Sequence, residues 1–493
     1  MLNKIVENTS KYIDLMPKKE RKKYGQFFTS IETARYMASL FVLPEKKEIT
    51  LLDAGAGSGI LTAAFVEYAV GKGIKRIDIT CYENDENILE LLNANLNILT
   101  EESGIDIGIQ IITENYITSQ YLEFNELMGA NPNPVKYDFI IGNPPYMKIP
   151  KDAKEAAAMP VVCYGAPNLY FLFATMGLFN LKEESEMVYI IPRSWTSGAY
   201  FKKFRDYLLS VGKLMHIHLF TSRNKVFDKE DVLQETMIIK IKKTANKPDF
   251  IRITSSETNK DFDHLTSLEI PYDIVVSGKE KYVYLVTDKH EVAVLEKLNK
   301  FKDTLPSIGL RMKTGLTVDF RNRDILRDEK EDGAIPLFYS QHIQDGLVKF
   351  PINKEAEYIV TDQKGLRQEN RNYLFVKRFT AKEERRRLQC GMYISKQHPE
   401  YEQISTQNKL NFIDGVSTEL SECVLYGLYV LFNSTIYDEY YRILNGSTQV
   451  NSTEINNMPV PNLETIQHLG RRLMKTKVLT QENCDKLLEE CYE

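Results

Sequence analysis

The 493-residue chain predicts an α/β protein: a Rossmann-like, doubly wound sheet in its first half, followed by a mixed α/β domain. Three observations carry this. Short apolar strands alternate with helical patterns from residue 49 to 195, the mark of βαβ units. The first strand runs into a glycine-rich turn, Asp53-Ala54-Gly55-Ala56-Gly57-Ser58-Gly59. A later strand, Tyr137-Asp138-Phe139-Ile140-Ile141, ends abruptly at Gly142-Asn143-Pro144-Pro145-Tyr146. Beyond about residue 245 the alternation fades, which divides the chain into 1–245, an N-terminal arm with the sheet domain, and 246–493, a connector with the second domain. The length agrees, since domains of roughly 100 to 250 residues are the norm.

Composition narrows the class. Hydrophobic residues at 43% and charged residues at 27% are ordinary for a globular protein. No run approaches the roughly 18 apolar residues of a membrane span, so neither a membrane protein nor a disordered chain is predicted. Met1 to Lys23 is polar and basic, without the apolar core of a secretory signal, and predicts a cytoplasmic protein. Cys81, Cys163, Cys390, Cys423, Cys484 and Cys491 are scattered, with no histidines at zinc spacing, and read as reduced thiols without a metal.

In chain order, residues 21–42 read as a loop feeding a helix, with Thr29 or Ser30 as N-cap and Ala34, Met37, Ala38 and Phe41 on its apolar face. The strand at Ile49 to Leu52 follows, then the glycine turn and a helix with Ile60, Leu61, Ala64 and Phe65 inward. Glycines allow the tight turn and let a ligand reach the N–H groups at the helix start. The spacing Asp-x-Gly-x-Gly-x-Gly fits neither the nicotinamide fingerprint nor a P-loop. A second strand, Arg76 to Tyr82, ends at Glu83-Asn84-Asp85, where a doubly wound fold holds a ribose; Glu83, 24 residues beyond Gly59, is the candidate. A third, Gly108 to Thr113, reaches Glu114-Asn115-Tyr116.

The fourth strand and its elbow are the chemical centre of the sequence. Prolines cannot donate to a ladder and restrict the residue before each, so the turn is rigid. There Asn143 offers a side-chain carbonyl, Pro144 a backbone carbonyl and Tyr146 a flat face: two acceptors and a platform for a planar group bearing an NH2. A proline turn with Asn143 merely satisfying backbone is the bland alternative. Next come an apolar helix opened by Asn168 to Ala174, a strand from Met187 to Trp195, a basic amphipathic helix at 197–205, and a hairpin-like strand pair, Leu214 to Phe220 and Glu235 to Ile241. The strands total seven. The stretch 246–290 is polar and reads as a connector with short strands.

This order of motifs resembles the gamma class of DNA adenine-N6 methyltransferases, the TaqI-like group, with a further likeness to the BsuBI/PstI type. Gly25-Gln26-Phe27-Phe28-Thr29 is similar to the class's N-terminal cofactor motif, the glycine turn to its S-adenosylmethionine motif, and Asn143 to Tyr146 to its catalytic motif. The resemblance implies the seven-stranded S-adenosylmethionine-dependent methyltransferase sheet and a C-terminal target-recognition domain. It implies cofactor contacts from Phe28, Thr29, Asp53, Ala54, Gly55, Gly57, Glu83, Asn84, Asn115, Tyr116, Asn143 and Phe173. Asn115 stands where the class usually has an aspartate accepting from the cofactor adenine amino group. Catalysis falls to Asn143, Pro144, Pro145 and Tyr146, with Phe227 as a second platform for the base. Double-stranded DNA is the implied partner, with a cognate restriction endonuclease as a separate functional partner and no obligate protein subunit.

The net charge of −5 is compatible with DNA because the charge is uneven. Residues 371–396 hold eight Lys or Arg against two acids. Lys377, Arg378, Lys382, Arg385, Arg386 and Arg387 are the DNA-binding candidates, and a solvated helix face paired with Glu383 and Glu384 is the alternative; Arg311 to Arg323 is the fallback site. Two other readings compete. An RNA or protein-glutamine methyltransferase shares the elbow, but rarely has about 250 residues after it, and the glutamine enzymes carry a helical N-terminal domain that 48 residues cannot supply. An inactive specificity subunit would not need the intact glycine turn, Glu83 and the elbow.

Overall fold

The computed structural model describes residues 1–15, 29–221, 235–381, 383–445 and 448–491. They form two compact units, 1–196 with 200–287, and 197–199 with 288–493. No helix among the described residues is long and apolar enough to cross a membrane.

In the first unit, helix α1 (Leu2–Leu15) and α2 (Ile31–Ser39) precede the sheet. Ser30 caps α2, its side chain accepting from the Thr33 N–H. The sheet strands are β1 (Glu48–Ala54), β2 (Arg76–Tyr82), β3 (Asp106–Ile112), β4 (Tyr137–Gly142), β5 (Leu181–Pro192), β6 (Lys213–Phe220), β7 (Thr236–Lys242), β8 (Phe250–Ser256) and β9 (Thr266–Pro271). Helices α3 (Ile60–Gly71), α4 (Glu86–Glu102), α5 (Leu169–Asn180) and α6 (Lys202–Val211) connect them. The spatial order is β3-β2-β1-β4-β5-β7-β6-β8-β9. Strands β1 to β5 pair in parallel, and β7 inserts antiparallel between β5 and β6, which is the hairpin-like pair expected from sequence.

The sheet has nine strands where the sequence predicts seven. β8 pairs parallel to β6 and β9 antiparallel to β8, so the polar stretch taken for a connector extends the sheet. β5 also stops at Pro192, short of the predicted Trp195, and Arg193–Thr196 forms a single helical turn. Proline has no N–H to continue the ladder.

β4 lies between β1 and β5 and is buried along its whole length. Asp138 pins its start. It accepts from Lys46 Nζ (2.5 Å), the Thr50 N–H (2.9 Å) and hydroxyl (2.8 Å), and Lys182 Nζ (3.1 Å). Burial would push this carboxyl up, but the donors outweigh it and hold it at about 2.

The second unit carries a six-stranded sheet in the order Leu310–Thr314, Leu410–Gly415, Tyr373–Lys377, Cys390–Tyr393, Leu347–Val348, Ile343–Gln344. Helices Glu422–Asn433 and Leu463–Thr476 pack tightly on each other, because a Cβ on Gly427 would sit 1.9 Å from the Ile466 carbonyl oxygen and one on Gly470 1.8 Å from that of Cys423.

Candidate active site

The carboxyl ends of β1, β2 and β4 meet at one edge. After β1 the chain takes left-handed conformations at Gly55 (φ 75°), Gly57 (56°) and Gly59 (80°), which only glycine adopts cheaply. The Gly55 and Ala56 N–H groups donate to the Tyr82 carbonyl (2.8 and 3.0 Å), folding the turn against the end of β2. There Glu83, almost fully buried, receives the Gly57 N–H on Oε2 (2.8 Å) and the Asp85 N–H on Oε1 (2.9 Å). Burial raises its carboxyl, partly opposed by the backbone donors. Asn84 beside it is exposed.

Asp53 closes β1, wholly buried beside the equally buried Ala54. Its Oδ2 accepts from the Thr62 hydroxyl at 2.7 Å, while Oδ1 is buried with no hydrogen-bond partner among the described residues. Burial, reinforced by Glu83, pushes this carboxyl up to about 7. An unmet buried acceptor costs free energy that a donor would recover.

Aromatic rings wall the same edge. Tyr116 is buried, donates to Asn180 Oδ1 (2.8 Å), and its ring lies 4.9 Å from Tyr82 and 5.2 Å from Phe173. Phe173 is half-buried within a stretch of α5 that is otherwise buried, and its ring comes 3.6 Å from where a Gly55 Cβ would stand. Asn115 is placed differently from the role implied for it. Its Oδ1 already accepts from the Ile117 and Thr118 N–H groups (3.1 and 3.0 Å), and its amide donates to Glu155 (2.9 Å). With both lone-pair directions of that oxygen engaged, it shapes the turn after β3.

The elbow follows β4. Ile141 pairs with Asp53, the last register pair between β4 and β1, so the elbow and the glycine turn leave neighbouring strands at the same end of the sheet. Asn143 is half-buried and its Nδ2 donates to Thr29 Oγ1 at 3.2 Å. Pro144 is buried and Pro145 half-buried. Tyr146 is anchored through its hydroxyl, which donates to the Ile190 carbonyl at 3.0 Å, with its ring edge-on to Tyr170. The Leu169 N–H donates to the Met147 carbonyl (2.8 Å), tying the elbow to the start of α5. Thus the structure brings together Thr29, Asp53, Gly55, Gly57, Glu83, Tyr116, Asn143, Tyr146 and Phe173. Phe28, Phe227 and Lys382 lie outside the described residues.

Gly142 and Tyr189 were not singled out from sequence. A Cβ on Gly142 would meet the Tyr189 ring at 2.7 Å, so β5 fills the space under the elbow. The contact joins residues 47 apart, and only the pairing of β4 with β5 reveals it.

The basic block is not one surface. Arg387 is fully buried, its guanidinium bonded to Thr380 Oγ1 (3.1 Å) and lying over the Tyr441 ring. Arg386 donates to the Phe432 and Ser434 carbonyls (3.1 and 3.0 Å), capping the end of helix Glu422–Asn433. These two correct the expectation of a phosphate-gripping run: Arg387 is buried and Arg386 is bonded to carbonyls within the fold. Arg385 is exposed, while Lys377 and Arg378 are half-buried. Arg321 and Arg323 are exposed beside Phe320, itself 61% exposed.

The type II methyltransferase M.BsuBI of Bacillus subtilis is 32% identical over 479 residues, 96% of this chain and 94% of its own length. The chain belongs to the type II methyltransferase family. M.PstI of Providencia stuartii, another type II methyltransferase, is 34% identical over 466 residues, 92% of this chain and 90% of its own. The family model described as the Eco57I restriction-modification methylase matches residues 72–227, the span that holds Glu83 and the elbow. A solved nuclease-deletion mutant of the Type ISP restriction-modification enzyme LlaGI, in complex with a DNA substrate mimic, shares the fold of this type II methyltransferase: TM-score 0.50 at 11% identity, over 91% of this chain and 54% of that one.

Proposed function

We propose that this chain transfers a methyl group from S-adenosylmethionine to N6 of an adenine flipped out of duplex DNA, protecting host DNA in restriction-modification. The observation that carries the reading is that the elbow and the glycine turn leave adjacent parallel strands at the same end of the sheet, with Tyr146 anchored to Ile190. The residues fit the cofactor. Phe28, Thr29, Ala54, Gly55, Gly57 and Asn84 would hold it, and Glu83 retains lone pairs that would accept from the ribose hydroxyls. Asp53, with Oδ1 an unmet buried acceptor, is the residue that would take the ammonium of its methionine end. Phe173 and Tyr116 would flank its adenine, with Asn115 holding the turn after β3. When bound, the cofactor supplies an electrophilic methyl group on a sulfonium.

The chain's own residues do the rest by orientation. The Asn143 side-chain carbonyl and the Pro144 backbone carbonyl accept the two N6 hydrogens and turn the nitrogen lone pair out of conjugation, with Pro145 keeping the elbow rigid. Tyr146 and Phe227 stack on the base. Stacking and two hydrogen bonds offset an unstacking cost of a few kcal/mol. Positioning and oriented dipoles carry the transfer without a covalent enzyme intermediate. Residues from about 300 to 465 choose the sequence, and Lys377, Arg378, Lys382 and Arg385, together with Arg321 and Arg323, meet the duplex. The reaction takes place in the cytoplasm, with a separate cognate endonuclease and no obligate protein subunit.

Labelled methyl transfer to duplex DNA, RNA and protein, run in parallel, tests this. Label in duplex DNA, with a rise in 2-aminopurine fluorescence at the target position on binding, is expected. Label confined to RNA or protein overturns it.

A further inference from the structure

The excursion from the elbow to α5, residues 147–168, plays no part in the proposed mechanism, yet it is firmly built. Its ends pair antiparallel at Lys148 and Asn168, with the Ile149 N–H donating to the Pro167 carbonyl at 2.8 Å. Ile149, Ala156, Met159 and Val162 are buried, and Asn125 Nδ2 donates to the Ala158 carbonyl at 2.9 Å. Its far end breaks this pattern: Val161 is 53% and Tyr164 64% exposed. An aromatic ring that a fixed loop holds in solvent marks an interaction surface when charge gathers round it. Cations gather at both chain neighbours of Tyr164. Gly165 (φ 71°) lies against Tyr200, since a Cβ there would stand 3.7 Å from that ring, and Lys148 Nζ is 5.7 Å from the centre of the same ring. On the other side, burial pushes the Cys163 thiol up to about 11 while the charge of Lys203 opposes it. Lys148 and Lys203 are exposed, with no side-chain hydrogen bond or ion pair among the described residues. Rings lead from here back to the elbow: Tyr200 to Phe201 (4.9 Å), Phe201 to Tyr170 (6.4 Å) and Tyr170 to Tyr146 (6.5 Å).

We propose that Tyr164, with Lys148 and Lys203 beside it, is a contact with the duplex next to the target: the ring stacks on a base face bared when the adenine leaves the helix, and the two ammonium groups meet adjoining phosphates. The inference rests on the DNA-methyltransferase reading above. Within a paired duplex each base face is covered by its neighbour, and flipping one base bares two faces. A ring on the loop that begins at the elbow covers one of them and recovers part of the unstacking cost. The charge suits the same occupant. Lys148, Lys151, Lys154 and Lys203 are all exposed, against exposed Asp152 and a Glu155 already bonded to Asn115 at 2.9 Å, and an excess of cations around a ring fits a phosphate-lined partner. Tyr164 lies outside the glycine turn and the elbow, so its loss falls on DNA binding and spares cofactor affinity.

Binding of the full-length protein to a duplex carrying the sequence it methylates tests this, with 2-aminopurine placed in turn on either side of the target adenine. Tyr164→Ala is expected to weaken binding about 10-fold, the scale of losing one stacked base, with the salt dependence and the calorimetric cofactor affinity unchanged. Tyr164→Phe, which keeps the ring, is expected to bind within about 2-fold of wild type. At one of the two flanking positions the 2-aminopurine is expected to be at least about 2-fold brighter with Tyr164→Ala than with wild type, because nothing then covers the bared face. Lys148→Ala and Lys203→Ala are each expected to flatten log K against log salt by about one unit. Wild-type DNA binding by Tyr164→Ala, the result if the loop meets a protein instead, overturns the proposal. So does equal brightness at both flanking positions, or an unchanged salt slope in both lysine variants. If the wild-type protein itself neither binds nor methylates duplex DNA, the reading fails and the inference with it; if it methylates DNA and Tyr164→Ala binds as tightly, the inference alone fails.

Discussion

Asp53 carries a carboxyl that the fold buries before anything compensates it. Its folded pKa, about 7, lies above the ordinary value near 4, so the neutral form is favoured. The sign follows from linkage: the cofactor-free protein gains stability from this group as pH falls from about 7 toward 4, and loses it as pH rises through 7. Asp53→Asn is expected to raise stability to urea at pH 8 by roughly 2–4 kcal/mol, while calorimetry shows cofactor affinity falling at least about 10-fold. Gly142→Ala is expected to cost about 1–3 kcal/mol in the same unfolding measurement, because the new methyl drives into the Tyr189 ring. The sequence announced Asp53, Gly55, Gly57, Glu83 and Asn143 because turn chemistry is local and its spacing survives in one dimension. Gly142 reads as an ordinary turn glycine, since its reason stands on another strand. Asn115 has the acceptor its type promises, and its own turn engages it.

Among the elements, β4 was read most directly, since an apolar run stopped by two prolines has few alternatives. The short strands expected at 246–290 carry no sign that they join the sheet, because Phe250, Ile251 and Ile253 with Arg252 mark β8 only weakly within a polar stretch and its partner β6 is distant in sequence. Asp138 gives β4 a pH-dependent anchor. Its folded pKa, about 2, lies below the ordinary value, so it stabilises above pH 4 and loses that contribution as pH falls from about 4 toward 2. Asp138→Asn is expected to lower unfolding free energy by about 1–2 kcal/mol at pH 7, allowing for the half-exposed lysines, with the deficit vanishing near pH 2. The basic block failed as a unit because a charge run does not reveal which guanidinium finds carbonyls within the fold. Arg386→Ala is therefore expected to lower the melting temperature and leave the salt dependence of DNA binding intact. Exposed Arg385→Ala is expected to do the reverse, flattening log K against log salt by about one unit if it meets a phosphate.

For the molecule entire, 1–245 and 246–493 remain the proposed functional domains, while compactness places the division of the structure after residue 287. The difference holds the two sheet strands at 250–271 and the short helix and hairpin at 272–283. Likeness to M.BsuBI and M.PstI over more than nine-tenths of the chain covers both units, so the C-terminal half belongs to the family pattern too. Its composition alone could not say so, because recognition surfaces are built from loops whose residues are brought together only in the fold. The central claim is that the elbow at Asn143 methylates the amino group of adenine in duplex DNA. Mapping modified bases at single-nucleotide resolution, in DNA from cells expressing either the wild-type protein or Asn143→Ala, tests it most directly. The account predicts N6-methyladenine at one recurring short sequence with the wild type and none there with the variant; methyl groups on cytosine, or an unchanged adenine map with Asn143→Ala, would contradict it.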